Sequence, residues 1–310
     1  MELIIPDIKG ETRDGYFVPA LMKRFWKAQL VVLKEIDRIC VRHGLKWYAS
    51  WGTCLGAARH GGFIPWDDDV DIEMPRKDYE IFKRCCATEL EKPYVIGDML
   101  MGNFDHLVSR VVNHEAAFCL EQDFLEKFYG CPYQAGVDIF CVDHIPDDPD
   151  EDFLMCRLVE ASYNLSKTWD ETDPSEREEM LAFLTETVKL PCPEGTDPRW
   201  HCLYMADRIS AMYVDDVTEN SAIISYYYRN SNRKIPTAAY DDMIYLPFED
   251  IRIPVLKEYD MYLTRMLGDW RTPAIWGEHP YLSGRVKELE DALAEQGERL
   301  PEAFDLIKDQ

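Results

Sequence analysis

The chain has no CxxC pair, although it contains ten cysteines, and their spacing follows no regular framework. That argues against the common thiolate zinc sites and against the disulfide staples of small secreted domains. Scattered cysteines in apolar or helical context, including the adjacent Cys85 and Cys86, fit a reducing compartment where a free thiol behaves as a small hydrophobe. A zinc site from His114, Cys119 and Cys131 lacks a diagnostic spacing. Positive charge is scarce as well: 34 Lys and Arg stand against 58 Asp and Glu, a formal net charge of −24. Such a surface is a poor partner for nucleic acid or an anionic membrane. No run approaches the ~18 uncharged apolar residues needed to span a bilayer. The segment from Met1 to Asp7 lacks the basic and apolar regions of a signal peptide. These absences lead to the expectation of a cytoplasmic protein with no anchor of its own, any contact with the inner face of the membrane being made through partners.

What is present is enough for a core. The 310 residues are 46% hydrophobic and 12% aromatic, which suits one large or two smaller globular domains. Apolar residues at helical spacing predict a helix over 19–43, started by Pro19 and stopped by Gly44. A short strand is expected over 45–50, a short helix opening at Gly52, and a second helix over 75–90. Further strands are expected at 94–96, 107–112 and 136–142. The acidic stretch 147–152 reads as a solvated connection and helix cap. Beyond it the chain is mostly helical to about 232, broken at 191–198, and closes with a hairpin over 245–253 and a helix over 255–267.

The most informative segment is Trp66-Asp67-Asp68-Asp69-Val70-Asp71-Ile72-Glu73. Four carboxylates within five residues repel one another and would unsettle an ordinary buried element. As a strand, the segment would put Asp67, Asp69 and Asp71 on one face and Val70 and Ile72 on the other, with Asp68 turned away. An acidic face of that kind suits a divalent, oxygen-loving cation, Mg²⁺ or Mn²⁺; the plainer reading is a solvated acidic turn. Two other elements join it. Gly52-Thr53, between a strand and a helix, permits close approach of backbone to phosphate, or is a simple tight turn. Asp138, alone within the apolar run Val137-Asp138-Ile139-Phe140, faces either a cation or solvent. Gly-Thr, a paired-acid strand and a third acid on a neighbouring strand describe a nucleotidyltransferase-type site, in which metals held by carboxylates clamp a phosphoryl group during in-line displacement.

The run from Gly52 through Arg59-His60-Gly61-Gly62-Phe63-Ile64-Pro65 to Ile72 resembles the signature of the LicD family, named for bacterial phosphocholine transferases and related to the fukutin group. The similarity continues through Met74–Tyr79, and resumes at Val137–Phe140, Leu246–Pro254 and Tyr259–Trp270. Residues 150–235 match only as a generic helical region, and Thr272–His279 follow the family loosely. The resemblance implies an α+β, nucleotidyltransferase-like fold, a mixed sheet flanked by helices with a mostly helical C-terminal part. It implies a catalytic core over 1–148, a helical substrate side over 149–235, and a mixed segment over 236–310 packing on the core. It also implies Mg²⁺- or Mn²⁺-dependent transfer of a phospho-alcohol from a CDP-linked donor to a sugar hydroxyl of a surface glycan or its lipid-linked precursor. Lipopolysaccharide, teichoic acid and capsule are glycans of that class. The rival readings are NMP transfer from an NTP to a sugar, small molecule or protein, and an inactive nucleotide- or glycan-binding member.

Carried over by position, Asp69 and Asp71 are the main metal ligands and catalytic acids, Asp138 is the third, and Asp67 binds metal or orients a ligand. Gly52, Thr53, Arg59, His60 and Arg110 are expected to bind substrate. Arg59 suits a bidentate phosphate contact or an ion pair to the aspartates. His60 fits the leaving phosphate or, preferably, a helix end, and Arg110 a donor phosphate. Arg76 and Lys77 complement the strand's charge. Arg229, Arg233 and Lys234 read first as a solvated helix end and second as a contact to donor or acceptor. Trp47, Tyr48 and Trp51 read as core rather than as a stacking platform.

Overall fold

A short hairpin, β1 (Glu11–Arg13) and β2 (Tyr16–Val18), leads into α1 (Ala20–His43) in the computed structural model, which describes residues 6–99, 104, 106–275, 279–301 and 304. Pro19 is the N-cap of α1, and Gly44 closes it at φ 66°, a left-handed conformation that glycine adopts without steric cost. The helix buries Leu21, Phe25, Leu33, Ile36 and Ile39, the stripe its apolar spacing predicts. Next come β3 (Tyr48–Ala49), α2 (Trp51–Arg59), β4 (Asp71–Pro75), α3 (Arg76–Glu89), β5 (Val95–Gly97), β6 (Ser109–Val112), α4 (Gln122–Lys127) and β7 (Gly136–Ile145).

These strands form one sheet in the order β3-β4-β7-β6-β5. β4 and β7 run parallel, and the other neighbours are antiparallel. β7 serves twice. Its first half lies between β4 and β6, and Asp143–Ile145 then pair with β8 (Asn220–Ala222), so the region expected to be mostly helical also adds a strand to the sheet.

Three longer helices of that region begin with the same device. In α5 (Pro149–Lys167), α6 (Pro174–Val188) and α7 (Pro198–Ser210), proline occupies the first turn and the preceding aspartate accepts a backbone N–H. Asp148, Asp173 and Asp197 thus satisfy donors that have no partner inside the helix, while proline removes one and presets φ. α8 (Ile224–Tyr227), β9 (Ile235–Pro236) and a 3-10 turn at Thr237–Tyr240 lead to the hairpin β10 (Met243–Phe248) and β11 (Ile251–Leu256), then α9 (Tyr259–Leu267) and α10 (Pro280–Glu295). The hairpin and α9 lie where the sequence places them, and α10 is an addition. Residues 276–278 of the closing segment fall outside the described residues.

The fold is therefore α+β, a mixed sheet flanked by helices. Its apolar residues fall into two clusters. One joins α1, the sheet, the β10–β11 hairpin, α9 and α10; the other joins α5–α8 with Ile145 and Ala222. Between them lies Arg76, 5% exposed, whose guanidinium bridges Asp143 of β7 and Asp207 of α7. No helix among the described residues is long and apolar enough to cross a membrane.

Candidate active site

Strand pairing brings two of the acids together. Asp71 on β4 and Asp138 on β7 are register partners on parallel strands, so their side chains leave the sheet on the same face. The ladder runs one residue past β4, with the Asp138 N–H donating to the Val70 carbonyl at 2.9 Å. The stretch from Asp67 to Val70 is not strand, in contrast to the expectation, because other groups satisfy its backbone. The Trp26 indole donates to the Asp67 carbonyl at 2.9 Å, and the Gln29 amide to the Asp68 carbonyl at 3.0 Å. Asp67 and Asp69 nevertheless share a side-chain hydrogen bond on the side of Asp71.

Asp68 turns the other way and caps α10, accepting the Leu282 N–H at 2.8 Å and the Tyr281 N–H. Asp68→Ala is expected to cost about 1–2 kcal/mol, the usual loss for a helix cap. Hydrogen exchange should show loosened amides at the start of α10, and an unchanged protection pattern there would refute the capping role.

The site crowds negative charge. Burial pushes the Asp71 carboxyl well above its usual range, and Asp69, Asp138 and Asp67 add to the effect. Asp67 is raised well above normal by burial and then by Asp69. Asp69, open to solvent at the rim but enclosed by the site's walls, rises to about 6 through desolvation and then through Asp68 and Asp138. Among the described residues Arg110 answers these charges directly: its Nε and Nη2 donate to both oxygens of Asp138, the second at 2.6 Å. An all-oxygen donor set with unmet negative charge fits a hard divalent cation. Glycine at position 52 leaves room for the Asp67 carboxylate, since a Cβ there would sit 2.5 Å from Asp67 Oδ2. With Asp138 turned to Arg110, no three of the four acids converge their oxygens within 4.8 Å; among the described residues only His43, Cys85 and Glu89, at the surface, form such a trio of donor atoms.

The remaining expected residues divide. Gly52 and Thr53 lie in the first turn of α2, where backbone N–H groups lack acceptors inside the helix. The Thr53 hydroxyl accepts the Asp71 N–H at 2.9 Å, so it sets the acid strand in place. Arg59 and His60 lie at the other end of α2, on the order of 10 Å along its axis. Arg59 Nη1 donates to the Trp270 carbonyl at 2.8 Å and its Nε to His60 Nε2 at 2.9 Å. His60 Nδ1 is 2.6 Å from Asp14. Neither residue touches the acids, because α2 runs away from them toward the N-terminal hairpin.

Two groups of residues lie outside the site drawn from the sequence, although Arg229 is read second as a contact to donor or acceptor. Glu73, 1% exposed on the same strand face as Asp71, accepts from Ser50 at 2.7 Å, Tyr262 at 2.8 Å and Tyr240 at 3.0 Å. Burial raises its carboxyl to about 7 against those three hydrogen bonds. Ser50 is the N-cap residue of α2, and its N–H donates to the Asp71 carbonyl at 3.0 Å, so this network fixes the helix start against the acid strand. The second group is Tyr226 and Arg229, which with Arg110 and Asp138 line a cavity of about 310 Å³.

Part of the chain that holds this site is similar to known proteins. Residues 44–120 match the family described as LicD/FKTN/FKRP, nucleotidyltransferase domain. That segment holds Gly52, Thr53, Arg59, His60, Arg110 and the Asp67–Asp71 run, whereas Asp138 lies beyond it. The lipopolysaccharide cholinephosphotransferase LicD of Haemophilus influenzae is 30% identical over 124 residues, 39% of this chain and 45% of that protein. Uncharacterized proteins of Rickettsia prowazekii and Rickettsia typhi are each 38% identical over 47 residues, 15% of this chain and 18% and 15% of theirs. The chain thus aligns with less than half the length of the curated relatives it matches.

Proposed function

We propose that the chain, whose residues 44–120 match the LicD/FKTN/FKRP nucleotidyltransferase domain, transfers a phosphocholine-type group from a CDP-linked donor to a sugar hydroxyl of a cell-surface glycan, such as lipopolysaccharide, or of its precursor. The observation that carries this reading is the acid cluster, with Asp71 and Asp138 side by side on parallel strands and Asp67 and Asp69 crowding them. Similarity to the lipopolysaccharide cholinephosphotransferase of Haemophilus influenzae supports choline as the alcohol and lipopolysaccharide as the acceptor class.

Asp69, Asp71 and Asp138 would hold Mg²⁺ or Mn²⁺, with Asp67 a further oxygen donor. When bound, such a cation offsets the charge on the transferring phosphoryl group. Arg110 supplies a planar, two-pronged donor suited to phosphate oxygens, and it already stands over the acids through Asp138. A carboxylate of the cluster left free of the cation would take the proton of the acceptor hydroxyl. In the step, the acceptor oxygen bonds to phosphorus, its proton passes to the carboxylate, and the bond from phosphorus to the departing CMP oxygen breaks.

The test is incubation with CDP-choline, Mg²⁺ and a lipopolysaccharide acceptor. The expected result is release of CMP with phosphocholine appearing in the glycan, abolished by EDTA. Release of pyrophosphate from an NTP instead would replace this reading by nucleotidyl transfer. Absence of any product with CDP-choline, CDP-ribitol or an NTP would leave only a binding role.

A further inference from the structure

The cavity beside Asp138 is built from a different part of the chain than the acids. Its far wall comes from Tyr163 of α5, Tyr226 of α8 and Arg229 in the turn after α8, and its near wall from Arg110 and Phe140. Its volume, about 310 Å³, is at the lower end of small-molecule sites. The chemistry of its lining is unusual for a chain of net charge −24. Arg110 and Arg229 both face the cavity, and His106, another lining residue, lies 3.4 Å from the Lys167 ammonium. Among the described residues no carboxylate pairs with Arg229; its Nε donates to the Tyr228 hydroxyl, and its guanidinium lies over the Tyr228 and Tyr163 rings at 5.1 and 6.0 Å. A cation such as a quaternary ammonium would meet two arginines there. An anion that also carries a flat ring meets the Arg229 fork, the Arg110 guanidinium paired to Asp138, and aromatic walls. Tyr226 ties the cavity to the catalytic face: burial raises its hydroxyl, and Asp71 and Asp138 add to that.

We propose that this cavity takes the CMP half of the donor, the part that departs in the transfer, with Arg229 holding its phosphate and the Tyr163 face against the base. The transferred alcohol then lies outside it, toward the acids. The assignment rests on the CDP-donor reading above and adds the residues that recognise the nucleotide. It makes α5 and α8 the donor-side wall, and Arg229 a binding residue rather than a solvated helix end.

The experiment is calorimetric titration of CDP, CDP-choline and phosphocholine, each with Mg²⁺, into the full chain and into Arg229→Gln, Arg229→Lys and Tyr163→Leu. Loss of one charge-assisted contact is expected to weaken CDP and CDP-choline roughly 10–100-fold in Arg229→Gln. Arg229→Lys should recover part of that loss. Tyr163→Leu should weaken both nucleotides roughly 5–100-fold through lost base stacking. Phosphocholine binding should not change in any variant. Arg229 is exposed, so thermal midpoints close to wild type are expected and serve as the folding control. If the wild type binds CDP but Arg229→Gln binds it equally well, the assignment of the cavity is overturned and the donor reading stands. If phosphocholine is the ligand that weakens, the cavity holds the alcohol and the assignment is equally overturned. If the wild type binds neither CDP nor CDP-choline, both readings fall.

Discussion

Asp71→Asn is expected to lower phosphocholine transfer by about 10²–10³-fold, the cost of removing one preorganised electrostatic group from an active site. The same substitution is expected to stabilise the metal-free protein at alkaline pH, because the wild-type carboxyl is charged there against its surroundings. The sign follows from the shifts. Folding raises the carboxyls of Asp67, Asp69 and Asp71 above the ordinary value near 3.9. Their protonated forms therefore favour the folded state, and that contribution is complete below about pH 4. It is lost as pH rises through the folded values, about 6 for Asp69, with Asp71 also well above its ordinary value. Melting in EDTA should accordingly show the wild type falling between pH 5.5 and 8 by more than Asp71→Asn does. Mg²⁺ at pH 8 should reverse the order, since a cation bound only by the folded state stabilises by mass action. A variant that keeps full transfer activity, or one that melts lower than wild type at pH 8 in EDTA, would contradict the role given to Asp71.

Arg76→Ala is expected to cost about 3–5 kcal/mol, the range for breaking a buried ion pair from one side. Arg76 Nε and Nη2 bond the two oxygens of Asp143 at 2.6 and 2.8 Å, and Nη1 reaches Asp207 at 2.7 Å. Asp143 and Asp207 are 2% and 4% exposed, so deleting the guanidinium leaves two enclosed carboxylates. Arg208, bonded to Asp207 and Glu80 at 2.6 and 2.7 Å, relieves the second only in part. Lysine cannot replace a fork that spans two carboxylates, so Arg76→Lys should lose most of the same stability. The measurement is urea unfolding followed by circular dichroism and tryptophan fluorescence. Because Arg76 joins the two apolar clusters, the two signals should separate in the variant where they coincide in the wild type. A loss under about 1 kcal/mol, within the range of an exposed pair, would show that the bridge is worth no more than a surface contact.

These two residues also mark how far the sequence can be read. Asp71 and Asp138 are legible because each interrupts an apolar strand, and strand alternation puts them on a face where charge needs an answer. Asp68 is legible as the acid that turns away, but its partner is not. Nothing local links it to the amides of Tyr281 and Leu282 more than two hundred positions later. The acid run was read as one strand from its alternation, whereas Trp26 and Gln29 take up the carbonyls that a strand neighbour would have bonded. Arg76 was read as a counter-charge to its own strand because Asp143 and Asp207 come from separate elements that only the tertiary fold brings together. Arg59 and His60 were drawn toward the acids by proximity in sequence, yet a helix of nine residues carries them to its opposite end. Arg229 was discounted because an arginine in a polar stretch is usually solvated, and only the cavity beside Asp138 distinguishes it.

The scaffolding of the acids has a consequence for how the protein is made. Asp68 is anchored by Leu282, and Glu73 by Tyr240 and Tyr262. Every one of those anchors is synthesised long after the acids themselves have left the ribosome. A nascent chain that ends after β7 would expose four crowded aspartates with no capped α10 behind them and no tyrosines on Glu73. Folding during synthesis can form the sheet early, but the ordered acid cluster must wait for the last helix. A protein released short of residue 282 would therefore be impaired in its active site first, and a ribosome-stalled series of increasing length should gain affinity for Mg²⁺ only at its end.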